Sequence, residues 1–154
     1  GELIEPVAPL AALDGKALLL VRPGFGVPTP WAYQRLAKFP DAASRPLGQA
    51  DELARRLANG PLADTAGAFY NSLEAPVFDK FPLLKLLKEH ALANGAEAAL
   101  LCGSGSTVFA ICSDTAAAKS LGQAIQSKFG KQPLVQIVEL PGNFTGSKLV
   151  TASP

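Results

Sequence analysis

Apolar and polar positions follow two different periods along this chain, and the switches between them mark its elements. Lys16–Arg22 (KALLLVR) is a continuous apolar run closed by Pro23 and Gly24. A run buried on both faces predicts a strand in the middle of its sheet. Glu97–Cys102 and Thr107–Cys112 predict two further strands, joined tightly by Gly103-Ser104-Gly105-Ser106. Leu134–Leu140 predicts a last strand, and the tail after Pro141 reads as loop. The opening Gly1–Val7 is at best a short edge strand, because Pro6 cannot donate to a ladder.

Helical periods fill the remainder. Thr29 suits an N-cap and Pro30 the first helical position, where a missing N–H costs nothing. Residues 40–47 are polar with prolines and read as loop. A helix from Gly48 to Ala58 places Ala50, Leu53, Ala54 and Leu57 on one face and stops at Asn59-Gly60-Pro61. Asn71–Lys80 and Pro82–Asn94 predict two more, broken at Phe81-Pro82. Asp114–Phe129 predicts another, with Ala117, Leu121, Ile125 and Phe129 at fourfold spacing. This order predicts an α+β fold, a ferredoxin-like split β-α-β sandwich with an antiparallel sheet and helices on one face. No repeat or internal linker interrupts it, so residues 1–154 form a single domain.

Composition narrows the function classes. Of 154 residues 48% are apolar and 18% charged, which excludes disorder. A net charge of +1 gives no electrostatic footprint for nucleic acid or an anionic membrane. No apolar run is long enough to span a bilayer and no secretory signal opens the chain. The chain contains no methionine, so Gly1 is not expected to be an unprocessed natural start, and a piece of something longer is expected. The two cysteines suit a reducing, cytoplasmic setting. On the predicted hairpin Cys102 lies beside the turn and Cys112 at the far end, roughly 16 Å away and beyond disulfide reach.

Candidate chemistry is sparse. The sole histidine, His90, is expected on the solvent side of its helix, and it has no partner for a metal site. No G-x-S-x-G elbow, paired carboxylates or C-x-x-C is present. Gly103-Ser-Gly-Ser-Thr107 lacks the lysine of a Walker loop, and Val108 stands where a dinucleotide motif needs glycine. It reads either as a hairpin whose glycines take positive φ, or as a place where a phosphate-bearing loop approaches backbone. Gly24–Tyr33 is the second candidate. The N–H groups at its helix start could hold an anion and Tyr33 or Trp31 could stack on a flat ring. Alternatively Pro28 and Tyr33 form a staple and Trp31 fills core.

In order along residues 1–140, these segments resemble the C-terminal half of the 4-diphosphocytidyl-2-C-methyl-D-erythritol kinases, within the GHMP kinase superfamily. Gly1-Glu-Leu-Ile-Glu resembles the family's G-x-G-E passage between domains. Arg22–Tyr33 resembles its P-x-x-x-x-T-x-x-x-[YF] segment. Phe69-Tyr-Asn-Ser-Leu-Glu74 resembles its N-D-[LF]-E motif, with Ser72 in place of aspartate. Gly103-Ser-Gly-Ser-Thr-Val-Phe109 matches its G-S-G-[SA]-x-x-F form of the third superfamily motif. The resemblance implies an ATP- and Mg²⁺-dependent kinase acting on the 2-hydroxyl of a cytidine-diphosphate-linked methylerythritol. It implies that Tyr33 stacks on cytosine, that Thr29 and Pro30 line that pocket, and that Gly103, Ser104, Gly105, Ser106 and Thr107 support the phosphate-binding loop. The base, its lysine and that loop belong to an N-terminal kinase domain outside this chain, so no catalytic residue is expected here. The main rival, a ferredoxin-like metabolite-binding or interaction module, would have a much shorter connection than residues 23–96.

Overall fold

The computed structural model describes residues 2–44, 48–142 and 147–151. Its centre is a four-stranded antiparallel sheet of β2 (Ala17–Arg22), β3 (Ala98–Leu101), β4 (Val108–Cys112) and β5 (Leu134–Glu139), in the order β3-β4-β2-β5. That order is the one a split β-α-β sandwich requires. β2 is central, as its apolar run predicts, with Leu19 opposite Ala110 on one side and Ile137 on the other. Its burial alternates, however. Ala17, Leu19 and Val21 are fully covered, while Leu18 and Leu20 are partly covered on the second face.

The connection from β2 to β3 carries α1 (Thr29–Leu36), α2 (Pro40–Ala43), α3 (Gln49–Asn59), α4 (Leu62–Thr65), α5 (Glu74–Lys80) and α6 (Pro82–Ala93). The return from β4 to β5 is α7 (Thr115–Phe129). Asp114 caps α7 by accepting from the Ala117 N–H at 2.7 Å, and this bond holds its carboxyl below the ordinary aspartate range. α6 and α7 cover one face, where Leu84, Leu87, Leu121 and Ile125 close over Leu19 and Val21. The second face also carries a small core: Leu57 of α3, Leu62 of α4, Leu10 and Leu13 meet Ala98 and Ile111 there. His90 lies in the seam between α6 and α7, half-buried with its ring edge-on to Phe129 at 5.4 Å, where open solvent was expected.

The structure corrects several sequence expectations. The tail is not all loop: β6 (Ser147–Thr151) pairs antiparallel with β1 (Glu2–Pro6), Glu2 opposite Thr151, as a separate two-stranded sheet. Two short strands at opposite ends of the chain give no local signal of their partnership. Pro40–Ala43 forms one helical turn inside the expected loop, closed by Ala43 N–H to the Phe39 carbonyl. α5 begins at Glu74, because Asn71–Leu73 is occupied by a side-chain-closed turn. Both cysteines are free thiols, as the hairpin geometry requires. Burial pushes the Cys102 and Cys112 thiols up, which suits packing over reactivity. Among the described residues no helix is long and apolar enough to cross a membrane.

α7 lies close against the sheet at Gly122. A Cβ there would lie 3.1 Å from Val135 Cγ1 and 3.6 Å from Leu19 Cδ1. Gly122→Val is therefore expected to destabilise the chain by about 1–3 kcal/mol through overpacking. Denaturant unfolding checks this, and an unchanged midpoint would contradict so close a contact.

Candidate functional site

Two loops meet beyond the ends of β2 and β3, and they are the two segments singled out in the sequence. After β2 the chain runs through Pro23–Pro28 into α1. Pro28 is the N-cap, since its carbonyl accepts the Ala32 N–H at 3.1 Å. The expected cap, Thr29, is thus the first helical residue. Its hydroxyl is released for another purpose and lies 2.7 Å from Ser104 Oγ in the 103–107 loop. Ser106, buried, donates its hydroxyl to the Phe25 carbonyl. These bonds lock the loops together around a cavity of about 540 Å³, walled by residues 23–27 and 105–107 with Arg22 at its side.

The aromatic residues separate by role. Trp31 is edge-on to Phe81 at 5.6 Å, and Lys80 Nζ sits 5.0 Å from its ring centroid. Phe25 stacks on the same Phe81 at 5.6 Å. Trp31 therefore belongs to the packing beneath the loop. Tyr33, by contrast, is 62% exposed on α1, and Pro28 is exposed as well. Tyr33 is a free ring. Thr29 and Pro30 are also exposed, in the turn below it. An exposed tyrosine, two exposed helix-start residues and a glycine loop bonded to one of them form a continuous rim.

The 103–107 loop closes on itself through Gly105 N–H to the Cys102 carbonyl and Cys102 N–H to the Thr107 carbonyl. Gly103 and Gly105 adopt φ of 53° and 90°, so the turn needs glycine. Asn71 and Glu74, from the segment Phe69-Tyr-Asn-Ser-Leu-Glu74, hold this loop from behind. Asn71 Nδ2 donates to the carbonyls of Leu101 (2.8 Å) and Gly103 (2.7 Å). Glu74 Oε1 accepts the Leu101 N–H at 2.9 Å, and its other oxygen takes Lys88 Nζ at 2.6 Å. The N-x-x-E spacing was the available signal: it puts an amide and a carboxylate on one turn, able to serve both backbone groups of one strand residue.

No group of three or more His, Cys, Asp or Glu side chains able to hold a metal occurs among the described residues. The site offers hydrogen-bonding hydroxyl and backbone groups beside an exposed aromatic ring.

Comparison with known proteins gives this arrangement a family. The family described as "GHMP kinases C terminal" matches residues 46–132, more than half of the chain. The chain belongs to the GHMP kinases. Among relatives of this GHMP kinase domain, the 4-diphosphocytidyl-2-C-methyl-D-erythritol kinase of Syntrophotalea carbinolica is 34% identical over 73% of this chain and 37% of its own length. The kinase of the same name from Gloeobacter violaceus is 30% identical over 85% of this chain and 44% of its own. A solved 4-(cytidine 5'-diphospho)-2C-methyl-D-erythritol kinase superimposes with TM-score 0.64 and 26% identity, covering 90% of this chain and 44% of that one. Homoserine kinase from Cytophaga hutchinsonii, at 22% identity, shares the fold with TM-score 0.65, covering 94% of this chain and 46% of its own. The chain thus spans about two-fifths of the length of the curated relatives it matches.

The two loop glycines differ in what a side chain would meet. A Cβ on Gly103 has open space, whereas on Gly105 it would lie 3.0 Å from Leu101 Cδ1 and 3.6 Å from Val27 Cγ2. Gly105→Val is expected to cost about 2–4 kcal/mol, from backbone strain at positive φ plus overpacking. Gly103→Ala, whose φ lies in the left-handed well, is expected to cost about 1 kcal/mol. Thermal melting of both variants checks the ranking, and the reverse order would contradict the packing.

Proposed function

We propose that this chain is the C-terminal, substrate-cleft half of a cytoplasmic, ATP-dependent kinase that phosphorylates the 2-hydroxyl of 4-diphosphocytidyl-2-C-methyl-D-erythritol. The observation that carries the reading is the Thr29–Ser104 hydroxyl contact, which ties the helix presenting an exposed Tyr33 to the glycine loop. The names of the relatives support the choice of substrate.

Phosphoryl transfer asks a protein chiefly for placement and charge stabilisation. In this reading Tyr33 stacks on the cytosine, a ring-on-ring contact that its exposed side chain is free to make. Thr29 and Pro30 line the same pocket, and Thr29 keeps its hydroxyl contact with Ser104. Gly103, Ser104, Gly105, Ser106 and Thr107 present a surface with little side chain at its glycines, against which the phosphate-binding loop of an N-terminal kinase domain can pack. The cavity walled by residues 23–27 and 105–107 offers no carboxylate and places Arg22 at its side, a lining that does not fit Mg²⁺. No step through the metal is therefore assigned to these residues, and base, metal and nucleotide phosphates fall to the N-terminal domain.

Two outcomes follow. In the full-length enzyme, Tyr33→Ala should raise KM for the cytidine substrate by an amount corresponding to about 1–3 kcal/mol, by analogy with base–aromatic stacking, and leave KM for ATP nearly unchanged. Steady-state kinetics with each substrate varied in turn checks this, and an unmoved cytidine-substrate KM removes Tyr33 from the pocket. Residues 1–154 alone should show no turnover in a coupled ADP-release assay, because phosphoryl transfer needs nucleotide, metal and base held together. Sustained turnover by this segment would overturn the division of labour.

A further inference from the structure

We propose that Asn71 is a positioning residue for phosphoryl transfer, aiming the 103–107 loop through the carbonyls of Leu101 and Gly103. This rests on the kinase reading above and assigns a role to a residue outside both loops.

The geometry begins with one amide. Both hydrogens of Asn71 Nδ2 are used, one on Leu101 and one on Gly103, while its Oδ1 accepts the Leu73 N–H at 3.0 Å. Rotating the amide by half a turn would set Oδ1 against two carbonyl oxygens, so all three bonds fix one orientation. Leu101 ends β3, and Gly103 is the first residue of the turn with positive φ. Asn71 therefore spans the point where strand becomes loop, and holding both carbonyls sets the angle between them.

The turn does not need this bracket in order to close. Its own bonds, Gly105 N–H to Cys102 and Cys102 N–H to Thr107, already do that, and Glu74 already satisfies the Leu101 N–H. The bond to Gly103 directs the loop relative to the sheet. The far side of the loop is tied separately, Ser104 to Thr29 and Ser106 to Phe25. Loss of Asn71 thus leaves α1 and Tyr33 where they are and frees only the near side of the loop. Substrate binding and loop aim are separable, so the signature of Asn71 is a fall in kcat with KM for the cytidine substrate kept.

The test uses the full-length enzyme and the cytidine substrate, assayed well below every variant's melting temperature. Asn71→Asp keeps the shape and the acceptor for Leu73 N–H, but turns a carboxylate oxygen on two carbonyls. Asn71→Ala removes the donors without adding charge, and serves if the aspartate variant does not fold. The variants are expected to lose kcat on the order of 10²-fold, the scale of a misplacement of about 1 Å. KM for the cytidine substrate should stay within about twofold. Gly122→Val, destabilised in the packing of α7 on Val135 and Leu19 and touching no residue of the loop, should keep its kcat. A lowered melting temperature with wild-type kcat in folded Asn71 variants overturns the inference, as does a raised cytidine-substrate KM at unchanged kcat. Both results leave the kinase reading intact. A wild-type enzyme that leaves the cytidine substrate unphosphorylated overturns the kinase reading itself, and the inference with it.

Discussion

An edge strand leaves alternate backbone groups without a ladder, and β3 brings that constraint to the site, because among the described residues it pairs only with β4. At Leu101 the missing ladder is supplied by side chains: Asn71 takes the carbonyl and Glu74 the N–H. Glu74 is in turn neutralised by Lys88 of α6, a part-buried pair with side chains 16% and 22% exposed. One turn of chain thus joins the sheet edge, the helix layer and the glycine loop. The loop's position follows from strand pairing, and strand pairing is terminated by the residues that hold the loop.

The sheet works as a two-sided platform. Its α6–α7 face holds most of the core, and its second face is sealed by α3, α4 and the 10–13 turn. Lys16 at the start of β2 reaches Glu97 just before β3 at 2.7 Å, bracing the end of the sheet remote from the loops. At the loop end, polar groups are matched with equal care: among the described residues no buried side-chain nitrogen or oxygen lacks a partner. Ser106 is the telling case, a buried hydroxyl whose bond to Phe25 joins loops far apart in sequence. Such satisfied polar contacts specify one arrangement where apolar packing alone would accept several.

Periodicity made the sheet and the main helices legible, since β2, the hairpin, α6 and α7 each carry a long local pattern. The hairpin turn was legible too, because Gly103 and Gly105 stand where positive φ is needed. Other features depend on partners distant along the chain. The pairing of Glu2–Pro6 with Ser147–Thr151 has no local signature. Thr29 has the chemistry of a cap, yet Pro28 takes that place and the Thr29 hydroxyl turns to Ser104, 75 residues away. Spacing alone could not choose between Trp31 and Tyr33 as the free ring. Phe81 decides it, by covering Trp31 and leaving Tyr33 outside. Asn71 and Glu74 were visible as a motif, but their purpose appears only once β3 is seen as an edge.

Trp31 is the one tryptophan in the chain. Its indole lies against Phe81 with the Lys80 ammonium over its face, on the helix that also bears Thr29 and Tyr33. The molecule therefore carries a native optical probe at the base of this rim. Indole emission responds to the polarity and the nearby charge around the ring, so it reports the seating of this helix without an attached dye. Tyr33 shares this helix and Tyr70 does not, but selective excitation of the indole isolates the single vantage point of Trp31.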